Sequence, residues 1–288
     1  MLPDPQIPDL RRRRFRRIPI RMLVPNVITL LALCAGLTAI RLAFEGRTEL
    51  ALGAIVFAAI LDGIDGRVAR MIKGQSRFGA ELDSLADFVN FGVAPALMLY
   101  FWQLRELNNV GWIAAMIFAI SGGLRLARFN ATMDDPNRPA FAANYFTGVP
   151  APAGAICVLL PMYLVLIGAP QLPVTVTAVF TLTMAFLMVS RLPVFSGKMI
   201  GAKVAPDMVL PVVVLVVLFI AVLVSYPWHL LTGGSLLYLI FLPVGWMSYR
   251  KHERRAAAAA AATADTGSAH GFVAPVDAEQ DNRPSRLN

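Results

Sequence analysis

The chain has 288 residues, of which 57% are hydrophobic and only 15% charged, so its composition excludes an ordinary soluble globular domain. The formal net charge of +8 would suit a nucleic-acid partner, but the positions of the basic residues indicate membrane topology instead. Crossing a bilayer takes about 20 mostly apolar residues. Eight such stretches cover residues 24–43, 50–72, 79–103, 110–130, 149–168, 173–190, 207–225 and 234–248. The sequence predicts an all-α polytopic membrane bundle of about eight transmembrane helices.

The chain begins with a basic segment, residues 1–22, which contains a run of arginines. Further basic residues lie in alternate connections and after the last stretch, for example Lys73, Arg125, Arg191 and Arg250. Because Lys and Arg of short loops stay in the cytosol, both termini are expected on the cytosolic side of a bacterial-type cell membrane. The N-terminal arginines are then free to contact anionic membrane lipids. A retained first helix fits better than a signal peptide, since no soluble domain follows it.

The second and third stretches carry four aspartates, Asp62, Asp65, Asp83 and Asp87. An ionisable residue within a span costs roughly 2.5 to 3.5 kcal/mol on insertion scales and is by default a functional candidate. At about 100° per residue, the aspartates of each helix fall on one stripe beside glycine and alanine. Antiparallel packing of the two helices about the turn at residues 74–76 would bring the four carboxylates together. A role as helix caps would explain Asp83 alone and not the whole set.

Four unpaired carboxylates cannot share one low-dielectric pocket, so a cation is expected among them. Arg70 and Lys73 could neutralise part of the charge, but an all-oxygen set suits hard divalent ions such as Mg²⁺ or Mn²⁺. Two ions would balance the four charges. A divalent-cation transporter is the alternative, although the later stretches offer no acidic relay across the membrane.

Residues 62–87 read DGIDGRVARMIKGQSRFGAELDSLAD. The pattern D-x-x-D-G-x-x-A-R, eight residues, and then G-x-x-x-D-x-x-x-D resembles the signature of the CDP-alcohol phosphatidyltransferases at every position. Such enzymes transfer a phosphatidyl or related group from a CDP-linked donor to an alcohol and release CMP. The resemblance implies that Asp62, Asp65 and Asp83 are metal ligands and that Asp87 is both a ligand and the catalytic base. No histidine lies near the cluster in sequence to serve as that base.

The signature also implies a site for the CDP-linked donor. Gly66, Ala69 and Gly79 would leave room for the nucleotide. Arg70 would pair with its phosphate.

Further segments resemble the phosphatidylserine synthase branch of this family. They are PNVITLLALCAG at residues 25–36, FGAELDSLADFVNFGVAPA at 78–96, GGLRLARFN at 122–130 and FTGVPAPAGA at 146–155. The resemblance implies CDP-diacylglycerol as donor, L-serine as acceptor, phosphatidylserine as product and a homodimer as assembly. An acceptor of the glycerol 3-phosphate or inositol type stays open, because such enzymes share the aspartate signature.

Serine carries a carboxylate, an ammonium group and the attacking hydroxyl, so its site needs a fork of cations. Arg125 and Arg128, one helical turn apart, can supply that fork. Asn90 and Asn130 could bind the ammonium group. The alternative is that both arginines only anchor the helix at the headgroups.

The apolar stretches together predict one transmembrane domain, residues 23–250, which the resemblance identifies as a CDP-alcohol phosphatidyltransferase domain. Residues 170–255 carry no motif from which chemistry can be inferred. Residues 251–288 include an alanine run and few bulky apolar side chains, so a disordered cytosolic tail is expected.

Overall fold

The computed structural model describes residues 20–72, 74, 76–132, 145–190, 193–195 and 208–243. Nearly all of the predicted basic segment and the whole of the predicted tail lie outside these residues. Lys73, Arg191 and Arg250, which entered the topology argument, lie outside them as well. Within the described part, the chain is helical apart from turns and one pair of three-residue strands.

Ten α-helices are formed by the described residues. They are α1 (Ile20–Phe44), α2 (Thr48–Met71), α3 (Arg77–Asp87), α4 (Ala94–Trp102), α5 (Asn109–Thr132), α6 (Ala151–Val158), α7 (Leu160–Leu166), α8 (Val174–Val189), α9 (Val209–Ser225) and α10 (Pro227–Pro243). A π-helical turn, Phe88–Val93, joins α3 to α4, and a 3₁₀ turn, Leu104–Leu107, precedes α5. The strands β1 (Tyr145–Thr147) and β2 (Pro193–Phe195) pair antiparallel.

Each of the eight predicted stretches coincides with one or more of these helices, which confirms an all-α polytopic membrane fold. Three helical stretches of the described chain are long and apolar enough to cross a bilayer: Leu23–Phe44, Arg77–Trp102 and Asn109–Ala131. Helices α9 and α10 meet at a bend of 114° and add a fourth crossing if they form one span. The number of eight spans therefore stays a prediction.

The helix predicted over residues 79–103 is present as the stretch Arg77–Trp102, and it contains a π-helical turn at its centre. The π-helical turn begins directly after Asp87 and adds a residue to the helical repeat there. The stripe calculated for a regular α-helix therefore does not continue through Asn90. The side chain of Asn90 is buried against α1, where a Cβ on Gly36 would clash with its Oδ1 atom.

Helix α1 is central to the N-terminal half of the bundle. It packs along α2 and also contacts α3, the π-helical turn and α4. Its contact with α2 and α4 buries small residues such as Ala39, Ala43 and Ala51. Small side chains let helix backbones approach closely within a membrane. This packing holds the acidic ends of α2 and α3 beside the first turns of α1.

Helices α5 to α8 form a second packed group. α5 packs against α8, and α6 packs against the π-helical turn and α8. Gly148 has a φ of +77°, and a Cβ there would lie 2.5 Å from the carbonyl oxygen of Met188. Only glycine fits this close approach, which fixes the start of α6 against the end of α8.

Candidate active site

Three of the four aspartates meet at one point between α2 and α3. Asp62, Asp83 and Asp87 each place one carboxylate oxygen within 4.8 Å of the other two. All three side chains are half-buried, and Oδ1 of Asp87 has no hydrogen-bond partner among the described residues. A buried, unsatisfied carboxylate oxygen needs a partner. The geometry and the donor atoms therefore fit a hard divalent cation.

Asp65 lies beside this group and is held from α1. It is 3% exposed, and its Oδ2 atom accepts a hydrogen bond of 2.7 Å from Oγ1 of Thr29, which is 4% exposed. Nothing in the sequence connects these two residues, which are 36 positions apart. A hydrogen bond of this kind fixes the orientation of a carboxylate for ligand binding.

A cavity of about 330 Å³ opens next to the aspartates. Its walls come from α1, α2 and the beginning of α3, and its volume suits a small-molecule ligand. It is lined by Pro25, Asn26, Thr29, Asp65, Gly66, Ala69, Arg70, Gly74, Ser76, Gly79, Ala80 and Asp83. The structure therefore brings together all four residues predicted to bind the CDP-linked donor. Two of the aspartates, Asp65 and Asp83, line the same cavity.

The two cavity glycines have different local surroundings. A Cβ on Gly66 would meet only the Arg70 guanidinium, at 3.8 Å, so this glycine leaves open space. A Cβ on Gly79 would lie 2.7 Å from Oδ1 of Asn26 and 3.1 Å from Oγ of Ser76. Gly79 thus allows α1 to approach α3 closely. The backbone N–H of Gly79 donates to Ser76 Oγ at 3.0 Å, which caps the N-terminus of α3 at the cavity.

Among the residues predicted to bind the acceptor substrate serine, Arg125 interacts with an aspartate of the cluster. It is 8% exposed, and its guanidinium interacts electrostatically with Asp87 and with Tyr238. Its Nε atom has no hydrogen-bond partner within the described chain. Arg125 therefore presents a buried donor next to the carboxylate predicted to act as the base.

Of the other three residues predicted to bind serine, two donate hydrogen bonds to protein groups and one is buried. Nη1 of Arg128 donates to the carbonyl oxygen of Val189 at 2.7 Å, which ties α5 to the end of α8. Nδ2 of Asn130 donates to Oγ of Ser84 at 2.9 Å, which ties α5 to α3. Asn90 is 1% exposed, and neither polar atom of its side chain has a partner among the residues described. The structure thus brings Arg125 closest to the role predicted for the set.

Sequence reasoning missed the contribution of α1. In the sequence, Pro25, Asn26 and Thr29 belong to the segment 25–36 that resembles the phosphatidylserine synthase branch, but no role in the site follows for any of them. All three line the cavity, and Pro25 lies within α1 rather than at its beginning. The signal that could have found them is a cluster of polar side chains one turn apart in an otherwise apolar helix.

The comparisons with known proteins agree with this site. A family model described as CDP-alcohol phosphatidyltransferase matches residues 22–189, which is more than half of the chain and includes every aspartate of the cluster. The chain belongs to the CDP-alcohol phosphatidyltransferase family. A second model, described as CDP-alcohol phosphatidyltransferase 2, matches residues 207–243. The chain is thus a phosphatidyltransferase of a generally metal-dependent family, and its aspartate cluster has the composition of a divalent-metal site.

Three relatives of this phosphatidyltransferase carry the name CDP-diacylglycerol–serine O-phosphatidyltransferase. The protein of that name from Mycobacterium leprae is 42% identical over 81% of this chain and 77% of its own length. Its counterpart from Mycobacterium bovis is 39% identical over 82% of both chains. The Helicobacter pylori protein is 33% identical over 78% of this chain and 91% of its own length.

Proposed function

We propose that this phosphatidyltransferase transfers the phosphatidyl group from CDP-diacylglycerol to L-serine, giving phosphatidylserine and CMP. The observation that carries the proposal is the buried cation Arg125, which interacts electrostatically with Asp87 of the aspartate cluster. An amino-acid acceptor needs such a cation for its carboxylate. The shared name of the relatives supports the same acceptor.

Asp62, Asp83 and Asp87, with Asp65 beside them, are the residues that would hold Mg²⁺ or Mn²⁺. Two ions would balance the four carboxylates. When bound, the metal supplies positive charge next to the donor phosphates and the departing CMP. Thr29 would keep the Asp65 carboxylate in a fixed orientation through its hydrogen bond.

The cavity is the proposed site of the CDP end of the donor. The small side chains of Gly66 and Ala69 leave space for the nucleotide. Gly79 allows α1 and α3, which line the cavity, to lie close together. The Arg70 guanidinium is exposed at the cavity and can pair with a phosphate. The N-terminus of α3 also faces the cavity, where its backbone N–H groups favour a negative ligand.

Asp87 is the proposed general base. Its Oδ1 atom, which has no partner among the described residues, would accept the proton of the serine hydroxyl. The serine oxygen then forms a bond to the lipid-side phosphorus, and the bond from that phosphorus to the CMP oxygen breaks. CMP leaves as the anion that the cationic surroundings stabilise.

Arg125 is proposed to bind the serine carboxylate, and Asn90 to accept a hydrogen bond from the ammonium group. Both side chains are buried with polar atoms that have no partner within the described chain. Arg128 and Asn130 donate to Val189 and Ser84, so their proposed contribution is to hold α5 in position around the acceptor.

The two alternative functions are less well supported. A phosphorylated acceptor would require a further basic cluster, and Arg70 is the one basic residue among those described around the cavity. A cation transporter would require acidic groups beyond the cluster, but the sequences of α5 to α10 contain no acidic residue.

We also propose that the termini and the active site face the cytosol of a bacterial-type cell membrane, in contact with membrane lipids, and that the enzyme is a homodimer. The alternation of basic connections supports this orientation. The dimer is implied by the family resemblance alone.

The test is CMP release by the purified protein from CDP-diacylglycerol with Mn²⁺. Serine, glycerol 3-phosphate and inositol are offered separately, and the lipid product is identified. The proposal predicts release that depends on serine and yields phosphatidylserine. Release with another alcohol would overturn the acceptor assignment but keep the metal-site chemistry. Absence of release with all three would contradict both.

A further inference from the structure

Helix α10 contributes buried polar groups near the active site, although the sequence there carries no motif. The hydroxyl groups of Tyr238 and Ser235 are buried and make no hydrogen bond to other described residues. The two residues are three positions apart and therefore lie on one face of the helix. Trp228 of α10 stacks on Tyr163 of α7, with ring centroids 6.3 Å apart, which anchors this face against the bundle.

Tyr238 is connected to the aspartates through Arg125. The Arg125 guanidinium interacts electrostatically with both Tyr238 and Asp87. Both Nε of Arg125 and the Tyr238 hydroxyl can donate a hydrogen bond, and neither has an acceptor within the described chain. Buried donors are rarely left unpaired in a native protein. The two donors therefore indicate an acceptor atom that binds between them.

The groups on the far side of Tyr238 do not supply this acceptor. Cys157 of α6 lies beside Tyr238, Ser235 and Tyr163, but a thiol sulfur is only a weak hydrogen-bond acceptor. Ser235 interacts with Cys157, whereas Tyr238 interacts with Arg125. Of the α10 side chains, Tyr238 is thus the one placed to share a ligand with Arg125.

We propose that Tyr238 completes the acceptor site by donating its hydroxyl hydrogen bond to the carboxylate that Arg125 binds. This inference rests on the proposed function, since the ligand is the carboxylate of the amino-acid acceptor. A carboxylate accepts two such donors at once, and bonds with a charged partner are strong. Helix α10 would thereby help the enzyme to select an amino acid over an amino alcohol such as ethanolamine, which lacks the carboxylate.

Tyr238→Phe tests this directly because it removes only the hydroxyl group. Initial rates of CMP release are measured against serine concentration at saturating CDP-diacylglycerol, and against CDP-diacylglycerol at saturating serine. The KM for serine is expected to rise by about tenfold, the effect of losing one hydrogen bond to a charged group. The KM for CDP-diacylglycerol should stay unchanged. The thermal midpoint should not fall, since the hydroxyl has no partner in the protein.

Two control variants belong to the same region. Tyr226→Phe makes the same chemical change at a side chain that is 62% exposed and packs on His229 at the bend before α10. Ser235→Ala removes a buried hydroxyl from the same face of α10, one that interacts with Cys157. Both should keep the wild-type KM for serine.

Three results would overturn the inference. They are a wild-type KM for serine in Tyr238→Phe, an equal rise in Ser235→Ala, or a loss of stability in Tyr238→Phe that reveals a structural partner. Each of these is seen in an enzyme that still converts serine, so the proposed function would survive. A wild-type enzyme that releases no CMP with serine would remove the proposed function, and the inference with it.

Discussion

The N-terminal part of the bundle, α1 to α4, and the C-terminal part, α5 to α10, build the active site in different ways. The N-terminal part concentrates four carboxylates and a cavity on three neighbouring helices. We propose that the C-terminal part supplies two separate donors, Arg125 from α5 and Tyr238 from α10. Metal and donor binding require a dense set of charges at fixed spacing, whereas recognition of a small acceptor requires only a few well-placed hydrogen bonds.

The charges in the two parts also differ. The ion pairs among the described residues are Arg41–Glu45 and Arg47–Glu45, which lie at the opposite end of α1 and α2 from the aspartates. The aspartate cluster has no such partner in the part of the chain that the structure describes. Its charge is therefore left for a bound cation, while the buried Arg125 is left for an anionic substrate group.

The largest expected effect comes from Asp87→Asn, which keeps the shape of the side chain and removes the proposed base. Turnover should fall by about 10³-fold, as expected for loss of general-base catalysis. The donor should still bind in part, because Asp62 and Asp83 remain. The measurement is CMP release together with binding of CDP-diacylglycerol. Glu81→Gln, an exposed acid on the same helix, serves as the control and should be nearly as active as wild type.

Asp62→Asn sharpens the same comparison, because Asp62 is assigned to metal binding alone. This variant should lose donor affinity as well as turnover. Equal donor affinity in Asp62→Asn and Asp87→Asn would contradict the assignment of separate roles to the two aspartates.

The next effect separates the two arginines of α5. Arg125→Ala should raise the KM for serine by about tenfold to 100-fold, since a charge-assisted hydrogen bond to the carboxylate is lost. Arg128→Ala should leave that KM near the wild-type value and lower stability by about 1 to 2 kcal/mol, because the bond to Val189 is lost. Serine kinetics and thermal unfolding of both variants check this. Similar KM values for serine in the two variants would instead support the prediction that both arginines bind the serine carboxylate.

A smaller effect is expected from Thr29→Val, which removes the hydrogen bond to Asp65 and keeps the side-chain shape. Loss of such an outer partner should weaken metal binding by about tenfold. Titration of the purified protein with Mn²⁺, followed by the magnetic resonance signal of the free ion, measures the affinity. The matched control is Thr38→Val, whose hydroxyl bonds to the backbone of Cys34 on the same helix. If both variants bind Mn²⁺ equally well, Thr29 does not position a metal ligand.

The smallest effect is expected from Gly79→Ala. The added methyl group would press against Asn26 and Ser76 and narrow the donor cavity. Donor binding should weaken by about fivefold, a modest overpacking cost. Gly63→Ala is the control, because a Cβ there meets nothing within 4 Å. An unchanged KM for CDP-diacylglycerol in Gly79→Ala would show that the side chains of Asn26 and Ser76 move aside without narrowing the cavity.

Much of the N-terminal half was predictable from sequence for a physical reason. Charged residues are rare in apolar helices, so the aspartates of α2 and α3 stand out in the sequence. Their spacing places the aspartates of each helix on one face of that helix. The position of Asn90 was less predictable, because it lies in a π-helical turn that packs against α1 and has no signature in the hydrophobic pattern. The hydrogen bond from Thr29 to Asp65 also depends on how α1 packs, which the sequence of α2 cannot reveal.

The acceptor side was less predictable. Arg125 and Arg128 look equivalent in sequence, and only the packing of α5 against α8 shows that Arg128 donates to Val189. Tyr238 lies in an apolar helix where a tyrosine is unremarkable. Its significance comes from its position beside Arg125, which depends on tertiary contacts between distant parts of the chain.

The most direct test of this division of the active site is binding of CDP-diacylglycerol to the purified enzyme with Mn²⁺ and without serine. The affinity of wild type is compared with that of Arg125→Ala and Asp62→Asn. If α1 to α4 bind the metal and the donor while Arg125 binds the acceptor, Arg125→Ala will bind the donor as wild type does and Asp62→Asn will not. A loss of donor affinity in Arg125→Ala as large as that in Asp62→Asn would contradict the division.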